Sequence, residues 1–309
     1  MFDIREEISI HQWTNNCQIA VVPIINSEVF ISGHGGPCIQ AHLSHLQPDI
    51  ANNGWRDYGN RQGTQRLLQI FSDLNISVSI AMNSYLIDKE PKIFGEIQQF
   101  SKEKQNIEII GHGLTNSLSA VKHLTFEEQV KQSLDQIEQT LGNKQRPTSW
   151  LTPGFAAPEN SSDVLGKYYC HLKKKLFSLI FYLVKNGIRM SLDATNDDIL
   201  YKLKSSIDKE KELIILPYSM ETNDISLCLS QGYTGEQYSQ ALIDYIQQLS
   251  EEKSSHARVV CLGLHTFIVG TPAKAFHFKK AIQQIKQIPN VAFFNCQQLL
   301  EILQNRNIQ

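Results

Sequence analysis

The sequence predicts an α/β fold in which a parallel sheet closes, or nearly closes, into a barrel with helices on its outside. Three observations carry this. Short runs rich in Val and Ile alternate with helical patterns along the chain, as parallel strands alternate with crossover helices. Eight such runs occur, enough for a sheet to curl round on itself. No internal repeat or low-complexity linker interrupts them, so residues 1–309 are expected to form a single domain.

In order, the runs are "QIAVVPII" (18–25), "ISVSIAM" (76–82), "IEII" (107–110), "SWLT" (149–152), "IRMSL" (188–192), "LIILP" (213–217), "VVCLGL" (259–264) and "VAFF" (291–294). Between them, "LTFEEQVKQSLDQIEQTLG" opens with a capping box, Thr125 to Glu128. It places Val130, Leu134, Ile137 and Leu141 on one face and stops at Gly142. "YTGEQYSQALIDYIQQLS" repeats the device with Thr234 and Gln237. In "TPAKAFHFKKAIQQI", Thr271 is the expected cap and Pro272 the first helical residue. Two segments depart from this alternation. Residues 26–63 are a long connection, the length that accompanies function, and 167–186 is a basic, then apolar helix, expected as an insertion that packs or makes an oligomer contact.

Composition removes several function classes. A formal net charge of −2 argues against a nucleic-acid or acidic-membrane surface. No apolar run is long and clean enough for a bilayer and no basic stretch precedes an apolar one at the start, so a soluble, cytoplasmic protein is expected. The six cysteines lack C-x-x-C spacing, which predicts reduced, mostly buried thiols.

In a barrel of parallel strands, chemistry gathers where strands end, because the loops there converge on one mouth. Asn26 and Glu28 follow the first run, His112 the third, Trp150 to Phe155 the fourth and Asp193, Asn196, Asp197 and Asp198 the fifth. Tyr218, Glu221, Asn223 and Asp224 follow the sixth, and His265 the seventh. Each has a plainer reading, since Asn and Asp are ordinary turn and cap residues. In "IEIIGHGLTNSL" (107–118) the local pattern leaves open whether His112 binds a metal. A second histidine one helical turn on would favour it, but that position is Asn116.

Six segments in this order resemble the polysaccharide deacetylase superfamily, the NodB-homology fold of carbohydrate esterase family 4. The likeness is closest to the branch holding metal-independent allantoinases and a cytoplasmic peptidoglycan-deacetylase-like group. The segments are "DYGNRQGTQRLLQIF" (57–71), "IEIIGHGLTNS", "SWLTPGFAAPENSSDVL" (149–165), "GIRMSLDATNDD", "LPYSMETNDI" and "LGLHTFIVGTP". Each is weak alone; together they span most of the chain. The resemblance implies a distorted (β/α)7 barrel, similar to a TIM barrel, and hydrolysis of a non-peptide C–N bond. It also implies a tetramer or other homo-oligomer.

Carried over by position, the resemblance implies catalytic Glu28, His112 and His265. Arg61, Asp197, Tyr218, Glu221, Asn223 and Asp224 would shape the substrate site, with Trp150 and Phe155 as an apolar wall. A divalent metal such as zinc would be held by Glu28 and His112. That ligand set is incomplete, because Asn116 offers only a neutral amide, so no cofactor is expected. The expected partner is a small or cyclic amide, or an N-acetylated sugar. Thr266 stands where the family more often has Pro. The departures at Asn116 and Thr266 keep a second reading open, a non-catalytic carbohydrate- or metabolite-binding descendant. A third is a glycoside hydrolase using paired rim carboxylates.

Overall fold

The computed structural model describes residues 5–103, 106–142, 146–155, 182–204 and 212–306. Ten strands form one curled sheet: β1 (Arg5–Glu7), β2 (Ile19–Ser27), β3 (Val78–Met82), β4 (Ile107–Gly111), β5 (Ser149–Trp150), β6 (Met190–Ser191), β7 (Tyr201–Lys204), β8 (Glu212–Ile215), β9 (Arg258–His265) and β10 (Val291–Phe293). Eight run parallel: seven in the order β9-β2-β3-β4-β5-β6-β8, the distorted barrel that the resemblance implies, and β10, which pairs with the start of β2. All eight apolar runs are strands. β1 and β7 were not legible, since "REE" and "YKLK" are too charged to stand out; they add antiparallel at the β8 edge. The open side is bridged without a regular strand. Ile8 N–H bonds Leu200 O, Ala257 N–H bonds Ile10 O, and Val259 N–H bonds Asp198 O.

The central strand β2 is fully buried and contains a proline. On one flank it pairs with β10 at Ile19–Val21 and with β3 at Ile24–Ser27. Pro23 falls in the gap between the two, where its missing N–H leaves no ladder bond unmade.

The period-2 alternation of strands sorts the core into two layers. Ala20, Val22 and Ile24 of β2, Ala81 of β3, Ile110 of β4 and Val259 and Cys261 of β9 pack together inside the barrel. Their odd or even neighbours, among them Val21, Ile80, Ile109 and Leu262, pack outward against helices α2 (Thr64–Asp73), α3 (Leu86–Lys89), α4 (Pro91–Glu103), α5 (Phe126–Leu141), α6 (Gly235–Glu251) and α7 (Pro272–Ile285), while α1 (Ile50–Tyr58) precedes them and α8 (Cys296–Asn305) puts Cys296, Leu299, Leu300 and Leu303 into the inner layer. Both predicted capping boxes are made, at Thr125 with Glu128 and at Thr234 with Gln237. A third, Asn295 with Gln298, opens α8. Thr271 is the N-cap residue of α7 and Pro272 its first residue, as predicted, but the Thr271 hydroxyl donates to Ile268 O and accepts no helix N–H.

The 26–63 connection is less loop than the sequence suggested, because α1 and a π-helical turn, Gly59–Gly63, occupy its second half. The helix expected over 167–186 lies, but for its last residues, outside the described residues. Among the described residues no helix is long and apolar enough to cross a membrane. Cys17, Cys261 and Cys296 are buried free thiols, and Cys38 and Cys228 are partly buried and free.

Candidate active site

The same alternation that builds the inner core builds the site. Counting on from Ala20, Val22 and Ile24 brings Asn26 and Glu28 to the inside. Counting from Ile110 brings His112, and from Val259 and Cys261, Gly263 and His265. The strands run parallel, so these residues arrive at one end of the barrel; Asn26 and His265 are register partners. Glu28, His112 and His265 are 4, 2 and 5 % exposed, so their polar atoms must answer to one another.

They do. Glu28 Oε1 lies 3.3 Å from His112 Nε2 and 3.7 Å from His265 Nε2, and accepts a hydrogen bond from Asn116 Nδ2. Glu28 Oε2 is buried and meets no hydrogen-bond partner among the described residues. His112 donates Nδ1–H to Leu151 O at 2.7 Å, which turns Nε2 to Glu28. His265 Nδ1 is held by Asp224 Oδ1 at 2.6 Å, which turns its Nε2 to Glu28 as well. Asp224 Oδ2 accepts the backbone N–H groups of His265 and Val269. A carboxylate, an imidazole, a second carboxylate and a second imidazole therefore follow one another through the barrel mouth.

Burial alone would push the Glu28 carboxyl up, but His265, His112 and Asn116 together outweigh it and hold the pKa below the usual glutamate range. For His265, burial pushes the imidazole down, and Asp224 and Glu28 outweigh it and raise it. Burial lifts the Asp193 carboxyl, against the Thr152 N–H, the Ser191 and Thr152 hydroxyls and the His112 imidazole.

The glycines of the 57–71 segment have a geometric reason. A Cβ on Gly59 would lie 2.4 Å from Phe267 N, and one on Gly63 would lie 2.0 Å from Thr266 O. The π-helical turn thus packs backbone to backbone against the loop that follows His265. Asn60 Nδ2 donates to Glu28 O at 2.7 Å, tying the same turn to the carboxylate's own backbone.

The remaining sequence-derived residues lie at varied distances from this cluster. Asp224 is part of it, as the orienter of His265. Tyr218 is buried beside it, its hydroxyl accepting from Asn26 Nδ2 at 2.8 Å. Asn223 is buried and accepts Ile225 N–H. Arg61 instead points outward, 64 % exposed, and pairs with Glu90 at 3.7 Å. Glu221 is exposed. Trp150 is 1 % exposed and faces the outer layer with Val130 and Leu134, because on β5 it is Leu151 that has inward parity. Asp197 binds Arg5 of β1 and the N–H groups of Asp198 and Ile199, a turn and edge anchor. Phe155 ends a 3-10 turn, Pro153–Phe155.

Asn83 went unnoticed in the sequence. It follows "ISVSIAM" directly and shares inward parity with Ser79 and Ala81, which is the signal that would have found it. Its side chain accepts Val29 N–H at 2.8 Å and donates to His112 O and, at 3.0 Å, to Asn116 Oδ1.

A metal ion fits this donor set poorly. Asn116 turns an N–H toward Glu28, where a ligand must offer a lone pair, and its oxygen is engaged by Asn83. Among the described residues no group of three or more His, Cys, Asp or Glu side chains is arranged to hold an ion.

A family model described as glycosyl hydrolase family 57 matches residues 33–308. The chain belongs to that family. Within this glycosyl hydrolase family 57 chain, the likeness read from the motifs is also found by comparison. A protein from Schizosaccharomyces pombe named "Putative polysaccharide deacetylase" is 24 % identical over 303 residues, covering 90 % of this chain and 88 % of its own. The crystal structure named "probable Polysaccharide deacetylase" from Pseudomonas aeruginosa PAO1 superposes with a TM-score of 0.71 at 20 % identity, covering 96 % of this chain and 94 % of that one. Puue allantoinase gives a TM-score of 0.72 at 18 % identity, with the same coverage. The fold is the distorted barrel of the polysaccharide deacetylases and allantoinase.

Proposed function

We propose that the protein hydrolyses a non-peptide C–N bond, in an N-acetylated sugar or in a small or cyclic amide of the kind an allantoinase opens, without a metal in the step. The single observation that carries this reading is the buried series Asp224–His265–Glu28–His112, in which both imidazoles turn Nε2 to one carboxylate.

Amide hydrolysis needs a base for water, a donor for the oxyanion and an acid for the departing nitrogen. Glu28, held ionised and with Oε2 unpartnered, takes a proton from water as its oxygen bonds the carbonyl carbon. Both ring contacts of His112 are acceptors, Leu151 O and Glu28 Oε1, so the ring acts with a proton on each nitrogen and donates Nε2–H to the oxygen on which charge develops. When the C–N bond breaks, His265 gives its Nε2 proton to the nitrogen, and Asp224 stabilises the charged ring beforehand. The proton on Glu28 then returns to His265 across the 3.7 Å gap, which restores the starting state.

The test is an amide panel including allantoin and N-acetylglucosamine oligomers, followed by amine or carboxylate release. Turnover of at least one member is expected, falling about 10³-fold or more in His265→Ala and Glu28→Gln with circular dichroism unchanged. Undiminished turnover in His265→Ala would refute the assignment. Calorimetric binding of a panel member with no product over long incubation would favour the non-catalytic reading instead.

The family match supports a second reading, glycoside hydrolysis. It is placed second because glycosidic cleavage gives no task to two imidazoles on one carboxylate. Release of reducing sugar from a glycoside panel, with the amide panel silent, would reverse that order.

A further inference from the structure

We propose that Asn83 is a positioning residue: it sets which way the Asn116 amide points, and so keeps an N–H donor on Glu28. The proposal rests on Glu28 being the base.

Donors and acceptors are matched one to one along a buried line. Asn83 is fully buried, 0 % exposed, at the C-terminal end of β3. Its Oδ1 accepts Val29 N–H, and a backbone N–H can only donate. Its Nδ2 faces two oxygens, His112 O and Asn116 Oδ1. Turning the Asn83 amide over would set an oxygen against the His112 carbonyl and an NH2 against the Val29 N–H, losing those two bonds in a place water does not reach. Its orientation is therefore dictated by the backbone on either side of it.

That orientation is passed on. Asn116 must turn Oδ1 to meet the Asn83 N–H, which leaves Nδ2 for Glu28 Oε1. With the opposite orientation, Asn116 would present an oxygen to a carboxylate, which is tolerable only if Glu28 carries a proton. One side chain on a strand that contributes no reacting group thus touches the backbone beside Glu28, the backbone of His112 and the side chain of Asn116. The titratable groups around Glu28 are His112, His265 with Asp224 behind it, and Tyr218. None of them belongs to β3, so a change at Asn83 reaches Glu28 through the amide and not through a charge of its own.

The experiment is a carbon-13 NMR titration of Glu28 Cδ in the full chain, with the resonance assigned by its loss in Glu28→Gln. It reads ionisation whether or not a substrate is known. In the unaltered protein the midpoint should fall below that of an ordinary glutamate. In Asn83→Ala and in Asn116→Ala it should rise by about one pH unit, a tenfold change in the ionisation constant. Should Asn83→Ala not fold, Asn83→Ser, too short to reach Asn116, carries the same expectation. A midpoint that moves in Asn116→Ala but stays put in the folded Asn83 variant would overturn the proposal, as would one unmoved in both. A merely structural Asn83 would lower the melting temperature and leave the midpoint where it was. Loss of the base reading shows separately, as undiminished turnover in Glu28→Gln.

Discussion

Asp224 grips His265 at two points: Oδ1 meets ring Nδ1 at 2.6 Å, and Oδ2 accepts the residue's own backbone N–H at 2.7 Å. The first contact chooses the tautomer, and the second fixes the strand end from which the ring projects. Asp224→Asn keeps the shape but loses the charge that holds the imidazolium. Turnover on the amide that the panel identifies is expected to fall about 10³- to 10⁴-fold, chiefly in kcat.

The same pair predicts a pH dependence of folding. His265 has a folded pKa raised above its unfolded value, so its contribution is fully present below about pH 6.5 and is lost as pH rises through the folded value. Urea denaturation at several pH values should show a decline as pH rises beyond about 6.5 that Asp224→Asn flattens. An equal slope in both proteins would contradict the assignment.

Another buried carboxyl lies at the other end of the barrel. Glu108, 8 % exposed, accepts Gln297 N–H at the start of α8 and the Ser79 hydroxyl, and burial raises its pKa to about 7. It lines a cleft with Arg146, Arg189 and Glu301. A carboxyl raised in the folded state costs stability as pH climbs from its ordinary value of 4.5 toward 7, to an upper bound of roughly 3 kcal/mol. Glu108→Gln should therefore stabilise the protein above pH 7 by about 1–3 kcal/mol and do little at pH 5. Denaturant midpoints at the two pH values are the measurement.

The close approach of Gly63 to Thr266 O predicts that even a methyl group is too much. Gly63→Ala should cost about 2–4 kcal/mol and shift the loop behind His265, so that activity falls further than stability alone explains. Thermal denaturation and turnover of the same preparation separate the two effects.

Thr266 is fully buried and its hydroxyl finds no partner. Replacing it with the isosteric Val removes an unsatisfied polar atom, and Thr266→Val is expected to stabilise the fold by about 1 kcal/mol with activity retained. A loss of stability would mean that the hydroxyl is engaged.

Much of this was legible because strands obey a strict period. The eight apolar runs located eight of the strands, and Glu28, His112 and His265 stand within three residues of the ends of three of them. What the runs did not reveal was parity. Trp150 and Leu151 are adjacent, yet only Leu151 faces the barrel interior, and an aromatic after an apolar run looks equally fit for a pocket wall or an outer core. Arg61 was misleading in the same way: the requirement in its segment lies in Gly59 and Gly63, which let two backbones touch, while the charged side chain between them faces solvent. Asn83 was overlooked because a neutral amide announces no chemistry until its partners are known.

β2 is bonded to β9 along its whole length on one flank and to β3 and β10 on the other. A chain synthesised from its N-terminus makes this strand before β9 and leaves the β9 flank unpaired until Arg258–His265 follows. Until then the nascent protein carries an open strand edge, a template for unwanted association. The strand that finally covers this edge is also the one that delivers His265, so a half-made chain has neither a closed sheet nor a competent proton donor.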